Sequence, residues 1–360
     1  MFSSRLFRNL GVGKIAKSAI AYFFLTVFIF IVIEGLASIT LFFIDIFTPQ
    51  QVFQQPYVQY DDMLGWVSKP NLNIKDLFGP GCDFKTNSQG FRNTKDFTVN
   101  IPPGKIRIIC SGDSHTQGDG VSNDNTWCQI LSSIDNKLET VNMGQGGYGV
   151  DQAYLRYMRD GRKLDHDIHI FAFIDDDFRR AMSGKFWSYQ KPVFRLVDNN
   201  LVLDNVPVPK SQSNNMSLLT RFVRNWRKLQ VFDLLKRIKN KGGLQLITYK
   251  GFDEEICRIA LKIFESLHRA QEEKGSIQVA LYIPTAYDYT YEVPWRKFLS
   301  VELAKRGIIF IDLTDEVVKR PVHVMFRDHY SEYGNSYLAD TIYKKLLTYP
   351  EIRKRFLEVR

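Results

Sequence analysis

The sequence predicts an α/β domain with a five-stranded parallel sheet, preceded by one N-terminal transmembrane helix. Five short runs of β-branched and aromatic residues lie between positions 105 and 350, separated by helical patterns, which is typical of a parallel sheet covered on both faces. A separate run of 27 residues near the N-terminus contains one charged residue, Glu34. The length of 360 residues allows one large domain or two small ones.

The apolar run covers residues 18–44 and reads SAIAYFFLTVFIFIVIEGLASITLFFI. As a helix it would be roughly 40 Å long, enough to cross a ~30 Å hydrocarbon core. A cleaved signal peptide is the alternative, but its apolar region would span only about 7–15 residues. We therefore expect a transmembrane helix over 18–46 that contacts the lipid bilayer, with Glu34 near the outer interface or paired with a partner helix.

The charge distribution predicts the orientation of this helix. Residues 1–17 carry four cations and no acid, which places them in the cytoplasm and the chain from about 47 onward in the periplasm or at the cell surface. The formal net charge is +9, but the excess is concentrated in 1–17 and 210–241. A nucleic-acid-binding domain would be basic over a broad face, so no nucleic-acid partner is expected.

The remaining chain divides into an extracytoplasmic lead-in and the α/β domain. Turn signals such as 69–71 and 78–81 predict a lead-in over 47–104 with little regular structure. The domain follows over 105–350. The predicted strands cover 106–111, 139–143, 168–174, 278–284 and 308–313. The predicted helices cover about 127–133, 151–159, 253–273 and 334–347.

An insertion of about 190–245 interrupts the alternation. Residues 194–203 read as a β-hairpin, and 218–238 as a basic amphipathic helix. The basic segment 218–241 suits contact with an anionic membrane surface, or it packs on the domain with a solvated basic face.

The four cysteines exclude a disulfide-scaffold protein. Cys110 ends an apolar strand and is expected to be a buried thiol. The sequence is compatible with a disulfide between Cys82 and Cys128 and also with two free thiols, because sequence alone cannot fix connectivity.

Three motifs follow strands, where parallel sheets bind their ligands. Ser114, in Gly112-Asp113-Ser114, lies at a strand-to-helix turn suited to a nucleophile, or it caps the helix. The glycine-rich segment 144–149 lets the backbone approach a ligand, or it is a flexible turn. His329 is a candidate base, because histidine is the usual base for a serine hydroxyl, or it is a solvated loop residue.

In order and spacing these blocks resemble the SGNH hydrolases, also called GDSL esterases, over about 105–350. The lead-in, with LGW at 64–66, TNSQGFR at 86–92 and KIRI at 105–108, is similar to membrane-anchored bacterial members. The resemblance implies a flavodoxin-like, three-layer αβα fold with strand order 2-1-3-4-5. It also implies Ser114 as nucleophile, His329 as base, and an oxyanion hole that includes Ser114 and Gly147.

Two positions depart from the family pattern. Asp176 stands where the family has the oxyanion-hole Asn, and an ionised carboxylate only accepts hydrogen bonds. Either Asp176 is kept protonated by its neighbours, or Arg179 or Arg180 supplies positive charge. The family's acid precedes the histidine by two or three residues, where this chain has Phe326 and Arg327, so Asp328 is the candidate acid that orients His329.

These observations predict a membrane-anchored serine esterase or O-acyl transferase, whose substrate, by resemblance, is an acylated glycan of the envelope. The alternative is an impaired member that binds a glycan or a partner. A nucleotide-binding α/β protein is least favoured, because the phosphate-binding glycine spacing is absent. No cofactor is expected, and no metal, because the six histidines show no ligand spacing. His115 is expected to be a wall of the site.

Overall fold

A computed structural model of the chain describes residues 3–47, 55–210, 231 and 254–358. Its helices are α1 (Ser3–Phe47), α2 (Ser114–Gln117), α3 (Trp127–Ile134), α4 (Val150–Arg159), α5 (Asp175–Ala181), α6 (Glu254–Lys274), α7 (Pro294–Ala304), α8 (Thr314–Val317), α9 (Val322–Met325), α10 (Glu332–Leu346) and α11 (Pro350–Glu358). Its strands are β1 (Val58–Asp61), β2 (Gly65–Ser68), β3 (Asn73–Ile74), β4 (Phe84–Lys85), β5 (Ile106–Ser111), β6 (Leu138–Asn142), β7 (Ile168–Phe173), β8 (Lys185–Phe186), β9 (Tyr189–Gln190), β10 (Val193–Val197), β11 (Asn200–Asp204), β12 (Ile277–Tyr282) and β13 (Ile309–Asp312).

The chain forms two compact units, and the first contains helix α1. This unit comprises residues 1–52 and 212–248. Within α1, Ala19–Leu41 is long and apolar enough to cross a membrane or to be a signal sequence. The carboxylate of Glu34 accepts a hydrogen bond from the backbone N–H of Val231 at 3.2 Å. Apart from Val231, the predicted amphipathic helix 218–238 and the basic segment 218–241 lie outside the described residues.

The second unit comprises residues 53–211 and 249–360 and is built on a five-stranded sheet. The strand order is β13-β12-β7-β5-β6, and every pairing is parallel. Counted along the chain from the other edge, this is the order 2-1-3-4-5. The predicted α/β fold with a five-stranded parallel sheet is therefore confirmed, including the strand order that the resemblance implies.

Side chains alternate between the two faces of the sheet, as strand geometry requires. Ile109 on β5 and Phe171 on β7 contribute to the core beneath α4 and α6. Ile108 and Ile170, one residue earlier on each strand, contribute to the core beneath α3 and α10. Strands β5 and β7 are buried along their whole length, which explains their nearly continuous apolar sequences.

The lead-in contains more regular structure than the sequence predicts. It forms two antiparallel pairs, β1 with β2 and β3 with β4. These strands have two to four residues, too few to show an alternating pattern, and turns close them. In the first turn Asp61 Oδ1 accepts hydrogen bonds from the N–H groups of Met63 (3.0 Å) and Leu64 (2.8 Å). The predicted hairpin 194–203 is present as β10 and β11, and a second small hairpin, β8 with β9, precedes it.

All four cysteines are buried, and none of them is part of a disulfide. Cys110 lies within β5, as expected of a buried thiol. Cys82 and Cys128 do not pair with each other, so the disulfide alternative is wrong.

Candidate active site

A tight turn presents Ser114 at the carboxyl end of strand β5. A Cβ atom at Gly112 would lie 2.6 Å from the carbonyl oxygen of Ala172, so only glycine fits between the strand and its neighbour. Asp113 then caps α2, and its Oδ1 accepts a hydrogen bond from the His115 N–H at 2.9 Å. Ser114 is the first residue of that four-residue helix and is buried. The turn therefore fixes the serine at the edge of the sheet where ligands bind.

His329 reaches this serine from the loop between α9 and α10. Its Nε2 lies 2.9 Å from Ser114 Oγ, although the two residues are 215 positions apart. A bridge between Phe326 and Tyr330 closes the loop, and the Arg327 N–H donates to the His329 carbonyl at 2.8 Å. At this distance the imidazole can take the hydroxyl proton during attack on a carbonyl.

The imidazole of His115 packs against that of His329 but does not line the cavity that opens on Ser114. The two ring centroids are 4.8 Å apart. Burial lowers the pKa of His115 to about 4, so its ring is neutral at pH 7. His115 therefore adds no positive charge next to His329, and it supports that ring from outside the cavity rather than forming the expected wall.

The glycine-rich loop 144–149 packs against the nucleophile turn. The Gln145 N–H donates to the Gly112 carbonyl at 3.0 Å, and the Gly146 N–H donates to Gln117 Oε1 at 2.8 Å. Gly147 has φ +79°, and a Cβ there would lie 2.4 Å from a ring carbon of Phe186. Backbone conformation and space thus both require glycine at 147, next to the serine.

Strand β2 of the lead-in holds the glycine loop in place. Gln145 Oε1 accepts hydrogen bonds from the N–H and the hydroxyl of Ser68, each at 2.8 Å. The Trp66 indole N–H donates to the Gly146 carbonyl at 3.0 Å, and the Tyr148 hydroxyl donates to the Trp66 carbonyl at 2.5 Å. The lead-in is therefore part of the site.

Asp176 faces two arginines rather than the serine. Its carboxylate accepts hydrogen bonds from the Nε of Arg179 (2.7 Å) and the Nε of Arg180 (2.8 Å). Arg180 also donates to Asp113 Oδ2 at 3.1 Å and to Asp177 Oδ1 at 2.8 Å. Of the two arginines, Arg180 is the one that reaches the serine's surroundings, because Asp113 directly precedes Ser114.

The carboxylates around Arg180 and its guanidinium each stabilise the charged form of the other. Burial acts to lower its pKa, but the carboxylates of Asp177, Asp113 and Asp176 outweigh burial and raise it. Burial likewise acts to raise the pKa of Asp113, yet His115 and Arg180 together hold it below its usual value. Arg180 is thus a fixed cation and Asp113 a fixed anion beside the nucleophile.

Two further carboxylates lie near His329 in the fold. Asp328 is exposed, and no hydrogen bond joins it to His329 between these two described residues. Asp119 follows the nucleophile helix, and a Cβ at the next residue, Gly120, would lie 3.9 Å from the His329 Cβ. Burial raises the pKa of Asp119 to about 6, against the attraction of His329 and Arg92.

A cavity of about 140 Å³ opens on the serine. Of the predicted site residues, Ser114, Gly147 and His329 line this cavity, whereas Asp176 and Asp328 do not. Its lining residues are Gln55, Tyr57, Val58, Trp66, Ser114, Asp119, Gly146, Gly147, Arg180, Phe186, Trp187, Tyr189 and His329. Among the described residues, no group of three or more His, Cys, Asp or Glu side chains is arranged to hold a metal ion.

Sequence reasoning missed the aromatic wall of this cavity and Asp119. Trp66 is part of the LGW segment on which the family resemblance partly rests, so its position in the site could have been predicted from the sequence. Asp119 had a simple signal, an acid five residues after the nucleophile. Phe186 and Trp187 come from a two-residue strand and its turn, which leave no periodic pattern.

The sequence matches no protein-family model and no curated protein. Two solved structures similar to the chain are a member of the lipolytic protein G-D-S-L family from Veillonella parvula and a catalytic mutant of an acetylxylan esterase from Geobacillus stearothermophilus. The first is 12% identical with a TM-score of 0.37, and covers 66% of this chain and 97% of its own. The second is 14% identical with a TM-score of 0.39, and covers 70% of this chain and 95% of its own.

Likeness at this level says nothing about a substrate, and the chemistry of the site rests on the contacts described above. The sheet order 2-1-3-4-5 and the meeting of the serine, glycine and histidine blocks at one cavity both agree with the resemblance found in the sequence. The chain has an α/β fold built on a five-stranded parallel sheet of order 2-1-3-4-5, the order that the resemblance implies.

Proposed function

We propose that this protein is a serine ester hydrolase whose substrate is a short-chain acyl ester of an envelope glycan. The observation that carries the proposal is the 2.9 Å contact between Ser114 Oγ and His329 Nε2, inside a cavity that Gly147 also lines. A serine hydroxyl is a weak nucleophile until an adjacent base activates it.

In the proposed mechanism, Ser114 Oγ attacks the ester carbonyl while His329 Nε2 takes the hydroxyl proton. The carbonyl oxygen becomes an oxyanion, which the N–H groups of Ser114 and Gly147 stabilise, with the positive charge of Arg180 nearby. His329 then gives its proton to the leaving alcohol, and an acyl-enzyme remains. Water, activated by His329, releases the acid and restores Ser114.

Acyl transfer would use the same acyl-enzyme with an acceptor hydroxyl in place of water. The choice between hydrolysis and transfer depends on what reaches the acyl group, and so on how far the cavity excludes water. We propose hydrolysis as the default, because a small cavity lined by Asp119 and Arg180 offers polar contacts to a water molecule. Product analysis with and without an added sugar acceptor distinguishes the two.

A specific observation favours a second candidate, an SGNH-like protein that binds a glycan without turning it over. Asp176 replaces the amide that the family uses as an oxyanion donor, and losing one such donor typically costs about 10²–10³ in rate. In this case the cavity would recognise a ligand while Ser114 stays unreactive.

The deciding experiment compares the full-length wild-type protein with Ser114→Ala and His329→Ala, each purified in detergent. A fluorophosphonate probe reports activation of the serine, mass spectrometry locates the adduct, and p-nitrophenyl acetate reports turnover. We expect labelling at Ser114 that requires His329, and turnover that both substitutions abolish. Folded wild-type protein that neither labels nor turns over the ester would reject the esterase and leave the binding role.

A further inference from the structure

Three stacked aromatic rings lead outward from the floor of the cavity. The Trp66 and Phe186 centroids are 6.2 Å apart with 21° between planes, and those of Phe186 and Trp187 are 5.0 Å apart with 18° between planes. Trp66 is buried, whereas Trp187 is 62% exposed. The indole ring of Trp187 thus lines the cavity of Ser114 and is also open to solvent.

The backbone at Trp187 is unfavourable for such a residue. Strands β8 and β9 pair Phe186 with Tyr189, so Trp187 and Ser188 form the two-residue turn of a hairpin. Trp187 has φ +49°, a left-handed conformation that such turns usually give to glycine or asparagine. The left-handed conformation strains the backbone of a bulky residue, and an exposed ring gains too little burial to offset that strain. The backbone at this position therefore favours a smaller residue than tryptophan.

The size of the cavity indicates what the ring contacts. A volume of about 140 Å³ is well below the ~300–1,000 Å³ of pockets that enclose whole drug-sized ligands. An acyl group fits inside, and the alcohol part of the ester must lie at the mouth, where Trp187 is. There the alcohol would meet an aromatic face together with the charged groups of Asp119 and Arg180.

We propose that Trp187 is the platform of a pyranose subsite that holds the sugar side of the ester. A pyranose carries C–H bonds on its faces and hydroxyls around its edge. The electron-rich face of an indole attracts the C–H bonds, while charged side chains bind hydroxyls. Arg180 lies 5.2 Å from the Phe186 ring centroid, so the cation, the ring stack and the nucleophile belong to one surface. This assignment rests on the proposed ester hydrolysis.

A lipid contact is the competing role, because tryptophan favours membrane interfaces. The stacking of Trp187 on Phe186, which lines the cavity beside Gly147, favours the sugar. Contact with lipid would not require the ring to align with the other two rings of the stack.

The test uses full-length protein in detergent and compares wild type, Trp187→Ala and Trp187→Phe. The control is Tyr291→Ala, an aromatic residue that is 58% exposed and does not line the cavity. Each variant is assayed on p-nitrophenyl acetate and on acetylated xylo-, manno- and chito-oligosaccharides. We expect Trp187→Ala to lower kcat/KM for at least one oligosaccharide tenfold more than for p-nitrophenyl acetate, mainly through KM. Trp187→Phe should recover most of the loss, and the control should not change the ratio.

Equal losses on both kinds of substrate, or no loss on any oligosaccharide, would overturn the subsite. Brominated lipids in proteoliposomes give a second readout. If they quench the tryptophan fluorescence of the wild type more than that of Trp187→Phe, the ring contacts lipid and the sugar assignment is wrong.

A binding measurement separates this inference from the proposed function. Ser114→Ala protein, with and without Trp187→Ala, is titrated with the same oligosaccharides by calorimetry. Binding that depends on Trp187 would support the subsite even if no ester is hydrolysed. Turnover of p-nitrophenyl acetate without such binding would leave the esterase intact and remove the subsite.

Discussion

Arg180 is a partly buried cation beside the nucleophile turn. The carboxylates of Asp113, Asp176 and Asp177 hold its guanidinium at the wall of the cavity. Under the proposed function, a fixed cation here would stabilise the developing oxyanion without reorganisation, the task that the resemblance assigns to an amide at position 176. Asp176 therefore serves as a partner for the cation in place of being a donor itself.

This arrangement predicts different effects for the two neighbouring arginines. Arg180→Gln should lower kcat by about 10²–10³, the usual cost of losing one oxyanion-stabilising group. Arg179→Gln, which removes an exposed cation from the same carboxylate, should change kcat less than about threefold. Steady-state kinetics measures both, with thermal unfolding as the control. If both variants have the same kcat, Arg180 has no part in catalysis.

Asp119 is the second residue whose charge bears on the reaction. The charge of His329 acts on the carboxyl groups of both Asp119 and Asp113, as well as on the ring of His115. Asp113 is already paired with Arg180, so Asp119 is the anion left to stabilise the imidazolium that forms during attack. We therefore regard Asp119 as a positioning residue, and we keep the role of Asp328 as a prediction to be tested beside it.

The pH profile distinguishes the two acids. The pKa of Asp119 is raised to about 6, so its charge is lost as the pH falls through that value. Asp119→Asn should lower kcat/KM about tenfold at pH 7.5 and make the acid limb of the profile less steep. Asp328→Asn should leave the profile unchanged. The reverse result would assign the orienting acid to Asp328.

The same substitution has an opposite expected effect on stability. A carboxyl group whose pKa is raised by folding destabilises the fold when it is ionised, at pH above about 6. Asp119→Asn should therefore raise Tm at pH 7.5, and this gain should shrink as the pH falls towards 4. Activity and stability would then change in opposite directions at this position.

At the scale of elements, one buried ion pair fixes the segment that follows α5. Lys191 and Asp151 are both fully buried, and their charged groups are in contact. Lys191 Nζ also donates to the carbonyls of Arg180 and Ser183, each at 3.2 Å. The pair thus joins helix α4 to the end of α5 and to the segment that carries Trp187.

Removing one partner leaves the other charge buried and uncompensated. Lys191→Met should lower the free energy of unfolding by about 3–5 kcal/mol, as is usual for a broken buried pair. The double variant Lys191→Met/Asp151→Leu should recover most of that loss, because it buries no charge. Denaturant unfolding of the three proteins measures the effect. A double variant no more stable than the single one would mean that hydrogen bonds, not charge, dominate here.

At the scale of the whole molecule, the sequence predicts the sheet better than it predicts the cavity. Buried strands such as β5 and β7 have apolar runs that are visible in the sequence. The order of the motifs along the chain then places Ser114 and His329 at the same edge of the sheet. The cavity instead depends on contacts between distant segments, such as Gln145 with Ser68, which no local pattern reveals. Trp187 is unpredictable for a related reason, since a tryptophan in a turn that favours glycine contradicts local propensity.

The N-terminal helix leads to a prediction about topology. We propose that Ala19–Leu41 is an uncleaved anchor with the cations of residues 1–17 in the cytoplasm. Sequencing the N-terminus of the mature protein should give a chain that still contains this helix. Protease added outside spheroplasts should digest the α/β unit and spare the first residues. A mature chain beginning near residue 38 would instead identify a signal peptide.

The burial of all four thiols has a consequence for how this protein can be studied. Cys110 and Cys128 are fully enclosed, and Cys82 and Cys257 are less than a tenth exposed. A thiol-alkylating reagent therefore reaches them only when the surrounding structure opens. The rate of alkylation of each cysteine thus measures how often its surroundings open. The four side chains are distributed over the lead-in, β5, α3 and α6. Mass spectrometry of the alkylated peptides would thus report, from the unmodified protein, which of these segments opens first.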